Sequence, residues 1–250
     1  METHEAMQRR TPPQKSQTPN AEPRTVSIVV PALNEAGYVE RTIRSGQRQE
    51  GPLEVVVVDG GSTDATPARA AAEGARVIAA PKGRARQMNA GAARARGDVL
   101  LFLHADTTLP EGALAAVRGA LAEPGVRAGT FRLRFDREGP LLRFYAWATR
   151  LRWRRFCYGD RGLFVRHDVF EQIGGYPDWP IFEDLELAGR LHHFTDENGG
   201  FRYLPMAVTT AARRFEREGP LRRQLQNLVL WTRYLLGVDP KAVAHRYRYD

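Results

Sequence analysis

The sequence VVVVDGGSTD, from Val55 to Asp64, decides the fold of this chain. Four consecutive β-branched residues predict a strand that is buried on both faces, and an acid with two glycines follows without a spacer. In open α/β sheets, ligands bind beyond the carboxyl ends of the parallel strands, and Gly60 permits a close approach there. Asp59 is therefore a candidate ligand contact. A plain strand-turn-helix joint, with Thr63 or Asp64 capping the next helix, explains the same residues equally well.

The composition is that of a basic globular protein. The chain has 250 residues, 42% of them hydrophobic, and a formal net charge of +8. Lys15, Lys82 and Lys241 are the only lysines among the 37 basic residues, so the positive charge comes almost entirely from arginine. Such a charge favours anionic partners, which include phosphorylated ligands, nucleic acid and anionic lipid. Cys157 is the single cysteine, which excludes an intrachain disulfide and a cysteine-based zinc cluster.

The sequence predicts one domain, 25–250, behind a leader. Residues 1–24 are rich in proline, glutamine, threonine and charge, which predicts disorder, and they lack the apolar run of a signal peptide. Strand and helix patterns alternate over residues 25–110, which predicts a mostly parallel, nucleotide-binding half. The pattern is looser over residues 111–215, and a helical tail follows over 216–250. No segment has the unbroken apolar length that spans a bilayer, so we expect a cytoplasmic protein.

Polar residues follow three of the predicted strands at the points where they end. Asn34-Glu35 comes after the first strand, Asp59 after the second, and His104-Ala105-Asp106 after a later one. Because the carboxyl ends of parallel strands meet at one edge of a sheet, we expect these groups to converge. Asp106 is a hard oxygen ligand that suits Mg²⁺ or Mn²⁺. His104 is a second metal ligand, a ribose contact or a hydrogen-bonded structural histidine.

A basic segment opens the predicted helix 83–96. It contains Lys82, Gly83, Arg84 and Arg86. Positive charge is unfavourable beside the positive end of a helix dipole unless an anion lies among the cations. A bound diphosphate would satisfy both the dipole and the side chains. The alternative is a solvated basic turn, which we disfavour because Lys82 is the only lysine in the predicted nucleotide-binding half.

Two adjacent acids, Glu183 and Asp184, begin another predicted helix. A proline-bounded loop that contains Trp179 precedes them. Acids in a first helical turn are ordinary partners of the helix dipole. An aromatic loop of this kind is also typical of a substrate cleft, where one of the acids can accept a proton from a hydroxyl group. The pattern alone supports both interpretations.

These segments together resemble the family 2 glycosyltransferases, which have the GT-A fold. The resemblance extends from about Val26 to about Tyr247, and the nearest subgroup is that of the small transferases described as radical-SAM/selenodomain-associated. It implies an α/β fold with a mostly parallel mixed sheet, flanking helices and C-terminal helices. The similar segments are VPALNE (30–35), VDGGSTD (58–64), the basic segment 82–89, LFLHAD (101–106), GDRGLFV (159–165), IGGY (173–176) and Glu183-Asp184.

The resemblance also implies the roles of individual residues. Asp106 would hold the metal, Mn²⁺ or Mg²⁺, at the last position of a DxD element whose first acid is replaced here by His104. Asp184, beside Glu183, would be the catalytic base of an inverting single displacement. The nucleotide sugar would be bound by Pro31, Ala32, Asn34, Glu35, Asp59, Gly60, Ser62, Lys82, Gly83, Arg84, Arg86, His104 and Ala105, and the acceptor side would be lined by Gly159, Asp160 and Trp179.

The implied donor is a UDP- or GDP-sugar, and the acceptor is left open, a lipid-linked one included. One alternative is a nucleotidyltransferase, but the glycine-rich loop that such enzymes have after the first strand is replaced here by PALNE, residues 31–35. The other is a basic binder of membranes or nucleic acid, which Arg213-Arg214-Phe215 and the amphipathic segment 221–236 favour. We expect no nucleic acid; peripheral contact of the C-terminal helix with the inner membrane face stays open.

Overall fold

A computed structural model of the chain describes residues 25–149, 159–196, 200–213, 229–230, 232–234, 236, 238 and 240. The predicted leader and Cys157 lie outside these residues. The sequence pattern also predicts helices over 141–156 and 219–236, and the second part of the former and most of the latter lie outside the described residues as well. Within the described part, no helix combines the length and the apolar character that crossing a membrane requires.

The described residues form one eight-stranded mixed sheet, in the order β3-β2-β1-β4-β7-β6-β8-β5. The first four of these neighbours are parallel, and β7 runs antiparallel to β4 and β6. The predicted α/β class and the mixed sheet are therefore confirmed. The strands are β1 (Val26–Ala32), β2 (Leu53–Asp59), β3 (Arg76–Ala79), β4 (Val99–Phe102), β5 (Thr107–Thr108), β6 (Ala128–Phe135), β7 (Leu163–Arg166) and β8 (Phe201–Thr210).

Helices cover both faces of this sheet, and one turn of 3-10 helix, Gly159–Arg161, precedes β7. In the described residues the helices are α1 (Val39–Gln47), α2 (Thr66–Ala72), α3 (Arg84–Ala92), α4 (Ala113–Ala122), α5 (Pro140–Ala148), α6 (His167–Gln172) and α7 (Glu183–Asp196).

Strand β2 is buried on both faces, as its run of valines predicts. Val56 and Val58 belong to the hydrophobic cluster that includes α3, whereas Val55 and Val57 belong to the cluster on the other face, which includes α1. Successive side chains of a strand point to opposite faces, so a strand in the middle of a three-layer structure needs apolar residues at every position. Each buried valine contributes about 1.5 kcal/mol to folding by leaving water.

The register of the parallel strands brings their carboxyl ends to one edge of the sheet. Ala32 at the end of β1 lies beside Asp59 at the end of β2, and Val29 lies beside Phe102 at the end of β4. The predicted convergence of the loops after these strands is therefore confirmed. The short strand β5 was not predicted, because two residues carry too little pattern; it pairs with the end of β8.

The sequence pattern predicts that the first helix begins at Glu35, whereas helix α1 begins four residues later, at Val39. Asn34 has a φ of 54°, which a helix interior does not accept, and the N–H of Glu35 donates to the Thr66 hydroxyl at 2.7 Å. The segment that was predicted to be the first helical turn is thus a loop whose polar groups bind the neighbouring loop.

Candidate active site

The loops after β1 and β2 bind each other through side-chain-to-backbone hydrogen bonds. The N–H of Asn34 donates to Ser62 Oγ at 2.9 Å, and the N–H of Thr63 donates to Asn34 Oδ1 at 2.8 Å. The left-handed backbone of Asn34, which Asn tolerates better than most residues, lets both groups face the second loop. The two loops therefore form a single preorganised surface at the carboxyl edge of the sheet.

Asp64 holds this loop pair from the side of α2. Its Oδ1 accepts the N–H of Thr66 at 2.9 Å and its Oδ2 accepts the N–H of Ala36 at 3.2 Å. The hydrogen bond from the Thr66 hydroxyl is the main reason that the pKa of Asp64 is lowered. The N-cap position of α2 is Ala65, which has no side-chain cap, and Asp64 binds the first helical N–H, that of Thr66, from one residue earlier. Asp64 thus has a structural role at this end of α2.

Asp59 lies at the tip of β2 with its carboxylate turned back onto its own loop. Its Oδ2 accepts the N–H groups of Gly61 at 3.0 Å and of Ser62 at 3.1 Å. These bonds fix the direction of the carboxylate, and the remaining lone pairs of its oxygens can accept further donors such as those of a base edge. The geometry supports recognition by Asp59 rather than proton transfer.

The buried side chain of Gln87 fastens this edge to α3. Its Nε2 donates to the carbonyl of Ala32 at 2.9 Å and to that of Val58 at 2.8 Å, where β1 and β2 end. A Cβ at Gly60 would come within 3.0 Å of the Gln87 amide, so glycine at that position permits the close approach. Sequence reasoning gave Gln87 no role, because its partners are backbone atoms of other elements.

The basic loop before α3 has a backbone conformation at Gly83 that favours glycine. Gly83 has a φ of 137° and directly precedes the first residue of the helix, with no side chain capping the first turn. Lys82 beside it is exposed. The unbonded N–H groups of a first helical turn and the positive charge of the neighbouring Lys82 make this end of the helix a suitable environment for an anion.

The two arginines of the first turn of α3 reach across to the second half of the domain. Arg84 Nη1 lies 3.2 Å from Glu183 Oε1. Arg86 donates from Nε and Nη2 to the two carboxylate oxygens of Asp178, at 2.8 and 2.9 Å. Arg86 and Asp178 are half-exposed or more, so this pair contributes little stability. Arg84 and the buried Glu183 connect the predicted donor residues to the predicted acids.

Asp106 does not stand alone at the edge of the sheet, because Arg213 lies beside it. One nitrogen of Arg213, Nη2, is 3.2 Å from Asp106 Oδ2, 2.6 Å from Glu35 Oε2 and also bound to the other oxygen of Glu35. The guanidinium carbon lies 4.4 Å from the centre of the Tyr38 ring, within the range of a cation–π contact. The negative charges of Glu35 and Asp106 outweigh the effect of burial and raise the pKa of Arg213.

Arg213 is a residue whose place in this group sequence reasoning missed. Its position in the segment Arg213-Arg214-Phe215 favoured a basic surface for a membrane or a nucleic acid. The structure instead turns Arg213 inward, into the group formed by Glu35, Asp106 and Tyr38. No local pattern could have assigned it, since its partner Asp106 is 107 residues away and Glu35 is 178 residues away.

The loop that contains His104 and Ala105 is held in place by α1. The hydroxyl of Thr42 donates to the Ala105 carbonyl at 2.8 Å, and the N–H of Thr107 donates to the His104 carbonyl at 3.0 Å. Across the described residues, no group of three or more His, Cys, Asp or Glu side chains is arranged to enclose a metal ion. Asp106 and Glu35 both bind Arg213 at this edge, and Asp106 is the residue that the sequence predicts as the metal ligand.

A cluster of buried acids lies at the start of α7. Glu183 is 1% exposed and Asp184 is 9% exposed, and Asp184 Oδ1 accepts the N–H of Leu185 at 2.8 Å. Burial raises the pKa of Glu183, Arg84 opposes this, and the charge of Asp184 adds to it. Phe182, directly before them, has a φ of 65°, an uncommon conformation that turns the chain sharply into the helix.

Asp160, in the 3-10 turn before β7, belongs to the same cluster. Its Oδ1 is buried and has no hydrogen-bond partner among the described residues. Burial first, and the charge of Asp184 second, raise the pKa of Asp160 to about 6, while Arg161 and Arg84 oppose the shift. The charge of Asp106 also raises this pKa, so the predicted metal ligand and the acceptor-side acids lie within electrostatic reach of one another.

The buried Tyr176 interacts electrostatically with this cluster. Its hydroxyl is buried without a partner among the described residues, and its pKa is raised well above the usual value by burial and by the charges of Asp184 and Glu183. Asn89 of α3 exchanges two hydrogen bonds with the backbone of Tyr176, at 2.8 and 3.0 Å. Like Gln87, Asn89 lies in a segment whose resemblance to the family was recognised, but its structural role was not predicted.

Aromatic residues and part of the C-terminal tail pack around the start of α7. Leu230 packs with Ile181, Phe182 and Leu185, and the rings of Tyr234 and Phe182 lie 4.8 Å apart. Leu230 and Tyr234 of the tail thus pack on their own domain beside Glu183 and Asp184. Trp179 is half-buried, and its backbone N–H donates to the Pro177 carbonyl at 2.7 Å. Gly159 is the first residue of the 3-10 turn.

The sequence of this chain is similar to known glycosyltransferases. A sequence profile for the family described as Glycosyl transferase family 2 matches residues 27–176, which is more than half of the chain. "Probable glycosyltransferase YdaM" from Bacillus subtilis is 28% identical over 213 residues, which are 74% of this chain and 50% of that protein. Glucosyl-3-phosphoglycerate synthase from Mycobacterium tuberculosis is 38% identical over 98 residues, 35% of this chain and 30% of that protein. The chain thus spans at most about half the length of these relatives.

Solved structures have the same fold. A glucosyl-3-phosphoglycerate synthase from M. tuberculosis, in complex with Mn²⁺, UDP and glucosyl-3-phosphoglycerate, superposes with a TM-score of 0.60 at 23% identity, covering 86% of this chain and 81% of that one. The mannosyltransferase PcManGT from Pyrobaculum calidifontis, in complex with GDP-Man and Mn²⁺, gives 0.58 at 22% identity, covering 78% and 58%. These likenesses confirm the expected GT-A fold. Because the profile matches more than half of its residues, this chain belongs to the family 2 glycosyltransferases.

Proposed function

We propose that this chain transfers a glycosyl group from a nucleoside-diphosphate sugar to an acceptor hydroxyl, with inversion at the anomeric carbon. The proposal rests on two electrostatic contacts that join the nucleotide-binding half of the domain to the acids of the second half. Arg84, at the predicted diphosphate end of α3, contacts Glu183, and the charge of Asp106 reaches Asp160. A donor bound on the β1–β2 loops would therefore present its sugar to the acids of the α7 cluster.

The donor is proposed to be a UDP- or GDP-sugar, since solved relatives are described in complex with UDP or GDP-Man. The interlocked loops after β1 and β2 support this, because a rigid surface with free carboxylate lone pairs suits a nucleobase and ribose. Lys82 and the first turn of α3 supply cations and N–H groups for the diphosphate. The binding set is proposed as it was predicted from the sequence, with Arg213 added to it.

Asp106 is the residue that would hold a divalent cation. A single carboxylate fits an ion that is shared with the diphosphate oxygens of the donor, because such ions take much of their coordination from the phosphates. When bound, the cation would supply positive charge for the departing diphosphate. The structural relatives described with Mn²⁺ support this assignment. Asp106 Oδ2 is also bound to Arg213 at 3.2 Å, so the cation and the guanidinium would share this oxygen or compete for it.

Asp184 is proposed to accept the proton of the acceptor hydroxyl. The acceptor oxygen would attack the anomeric carbon, the bond from that carbon to the diphosphate oxygen would break, and the nucleoside diphosphate would leave. Glu183, held by Arg84, would position Asp184 rather than contact substrate. Asp160 keeps a proton to a higher pH than an ordinary aspartate, which limits the negative charge that accumulates around Asp184.

The finer details stay predictions. They comprise the radical-SAM/selenodomain-associated subgroup, a lipid-linked acceptor, peripheral membrane contact of the C-terminal helix and a cytoplasmic location. Nucleotidyl transfer is the second reaction that the fold permits, and the products distinguish the two. Glycosyl transfer releases a nucleoside diphosphate, whereas nucleotidyl transfer releases pyrophosphate.

The test combines donor binding with one catalytic variant. Thermal shifts with UDP- and GDP-sugars, with and without Mn²⁺, identify the donor through ligand-linked stabilisation. Asp184→Asn is then expected to lower kcat by about 10²- to 10⁴-fold, the usual contribution of a general base, without loss of donor binding. Asp168→Asn is the matched control, because Asp168 Oδ1 also accepts the N–H of the next residue, at 2.9 Å, but lies on the exposed surface. Near-normal transfer by Asp184→Asn would exclude Asp184 as the base.

A further inference from the structure

A groove of about 1140 Å³ opens between β6, α5 and β8, and none of the proposed donor or acceptor residues line it. Four arginines, Arg132, Arg134, Arg137 and Arg143, and one acid, Glu138, contribute to its wall. Arg134 and Arg143 are exposed and form no ion pair with any residue in the described part of the chain. The groove therefore has a positive field that nothing in the proposed reaction uses.

Two aromatic side chains of α5 stand exposed at this groove. Phe144 is 60% exposed and Trp147 is 50% exposed, and their rings stack at a centroid distance of 5.9 Å. They are three positions apart, so they lie on one face of the helix. On the side of α5 toward the protein, Leu142 and Tyr145 pack against the core. The helix is thus amphipathic, with its outer face formed by large aromatic rings beside arginines.

We propose that this groove docks the protein on a bilayer surface of anionic lipids. Aromatic rings that enter the head-group boundary and arginines that meet lipid phosphates are the two features of an interfacial helix. The charge complementarity is direct, because the wall contains four cations against one anion. Leu142 and Met206 add apolar surface to the lining, which suits acyl chains, and a polynucleotide is the competing occupant that the test below distinguishes.

The surface is connected to the proposed active site through the end of α5. The Thr149 carbonyl, directly after the helix, accepts a bond from Arg161 Nη2 at 2.9 Å, and Arg161 follows Asp160. Burial raises the pKa of Tyr145, and the charge of Asp160 adds to this shift, so Asp160 acts electrostatically on a residue of α5. The hydrogen bond from Arg161 to Thr149 is the link through which lipid binding at the groove would affect the acceptor side. This functional use rests on the proposed transferase activity, whereas the docking itself does not.

Co-sedimentation of the full chain with vesicles tests the docking. We expect binding to vesicles of phosphatidylcholine with phosphatidylglycerol and much weaker binding to phosphatidylcholine alone. Arg134→Glu/Arg143→Glu should weaken the partition by at least about 25-fold, since each basic residue near an anionic surface contributes about fivefold. The control, Arg48→Glu/Arg94→Glu, changes two exposed arginines elsewhere by the same net charge and should change the partition less than about twofold.

Phe144→Ser/Trp147→Ser is expected to weaken binding about tenfold and to do so at high salt as well, because it removes apolar contacts rather than charge. Equal losses in both arginine pairs would overturn the proposal, since binding would then follow net charge. Binding of a DNA oligonucleotide through Arg134 and Arg143, without binding of vesicles, would also overturn it. Donor binding by thermal shift is measured on each variant, so a failure of the proposed transferase activity is distinguished from a failure of docking.

Discussion

Replacing Arg213 with glutamine tests how the charges at the edge of the sheet are balanced. In the structure Arg213 contacts both Glu35 and Asp106, and the side chains of the three residues are 24%, 15% and 13% exposed. The variant leaves two partly buried carboxylates without their cation. A charge-assisted hydrogen bond contributes about 1.5–3 kcal/mol, and partial exposure places the loss near the lower value, at about 2 kcal/mol. For a chain of this size that corresponds to a fall in Tm of about 4–8 °C.

The same substitution should strengthen the binding of Mn²⁺ in the absence of donor. A guanidinium at 3.2 Å from Asp106 repels a second cation at that carboxylate, and its removal should tighten the Mn²⁺ Kd by about tenfold or more. Isothermal titration with Mn²⁺ alone measures this directly. Saturating Mn²⁺ should then restore part of the lost Tm, because the ion replaces the missing charge.

Arg41→Gln is the matched control for Arg213→Gln. The guanidinium of Arg41 also lies 4.4 Å from the Tyr38 ring, and Arg41 pairs with Asp136 at 3.7 Å rather than with Asp106. The control should leave the Mn²⁺ affinity unchanged. If Arg213→Gln bound Mn²⁺ no better than the wild type, or if Arg41→Gln had the same effect, the competition between Arg213 and the cation would be refuted.

Two other substitutions test the architecture around the site. Gln87→Leu removes the donor for the carbonyls at the ends of β1 and β2 and should cost about 2–3 kcal/mol in urea unfolding, whereas Gln47→Leu at an exposed position should cost less than about 0.5 kcal/mol. Asp160→Asn should remove a pH dependence of stability. The folded-state pKa of Asp160, about 6, lies above its unfolded value. The wild type should therefore lose stability relative to Asp160→Asn as pH rises from about 4 to about 7, by at most about 3 kcal/mol. Identical pH profiles of stability for the two proteins would contradict this.

The sheet and its functional edge could be predicted because their signals are local. The valines of β2 and the apolar residues of β4 specify buried strands, and the polar residues that follow each strand mark the edge where ligands bind. The start of α1 could not be predicted from its own pattern. Glu35 begins a segment of acceptable helix sequence, but its backbone N–H is taken by Thr66 on the neighbouring loop.

The site could be predicted only as a set of candidate residues. Asp59 and Asp106 were predicted because Asp59 ends β2 and Asp106 lies in the loop just after β4. Gln87, Asn89 and Arg213 were missed or misplaced, since each acts on atoms that are remote in sequence. A glutamine or asparagine on a helix gives no sign that its amide will meet a distant backbone carbonyl.

The sequence by itself determined the α/β fold, the edge of the sheet that carries the polar loops and the membership of the glycosyltransferase family. Hydrophobic periodicity and the order of the motifs are properties of the sequence, so they can be recognised before the tertiary structure is known. Only the tertiary structure decided how the charges are distributed. It joined Arg84 to Glu183 across 99 residues, gave Asp106 a cationic neighbour and raised the pKa of Asp160, because charge pairing and loss of water depend on what the folded chain brings close.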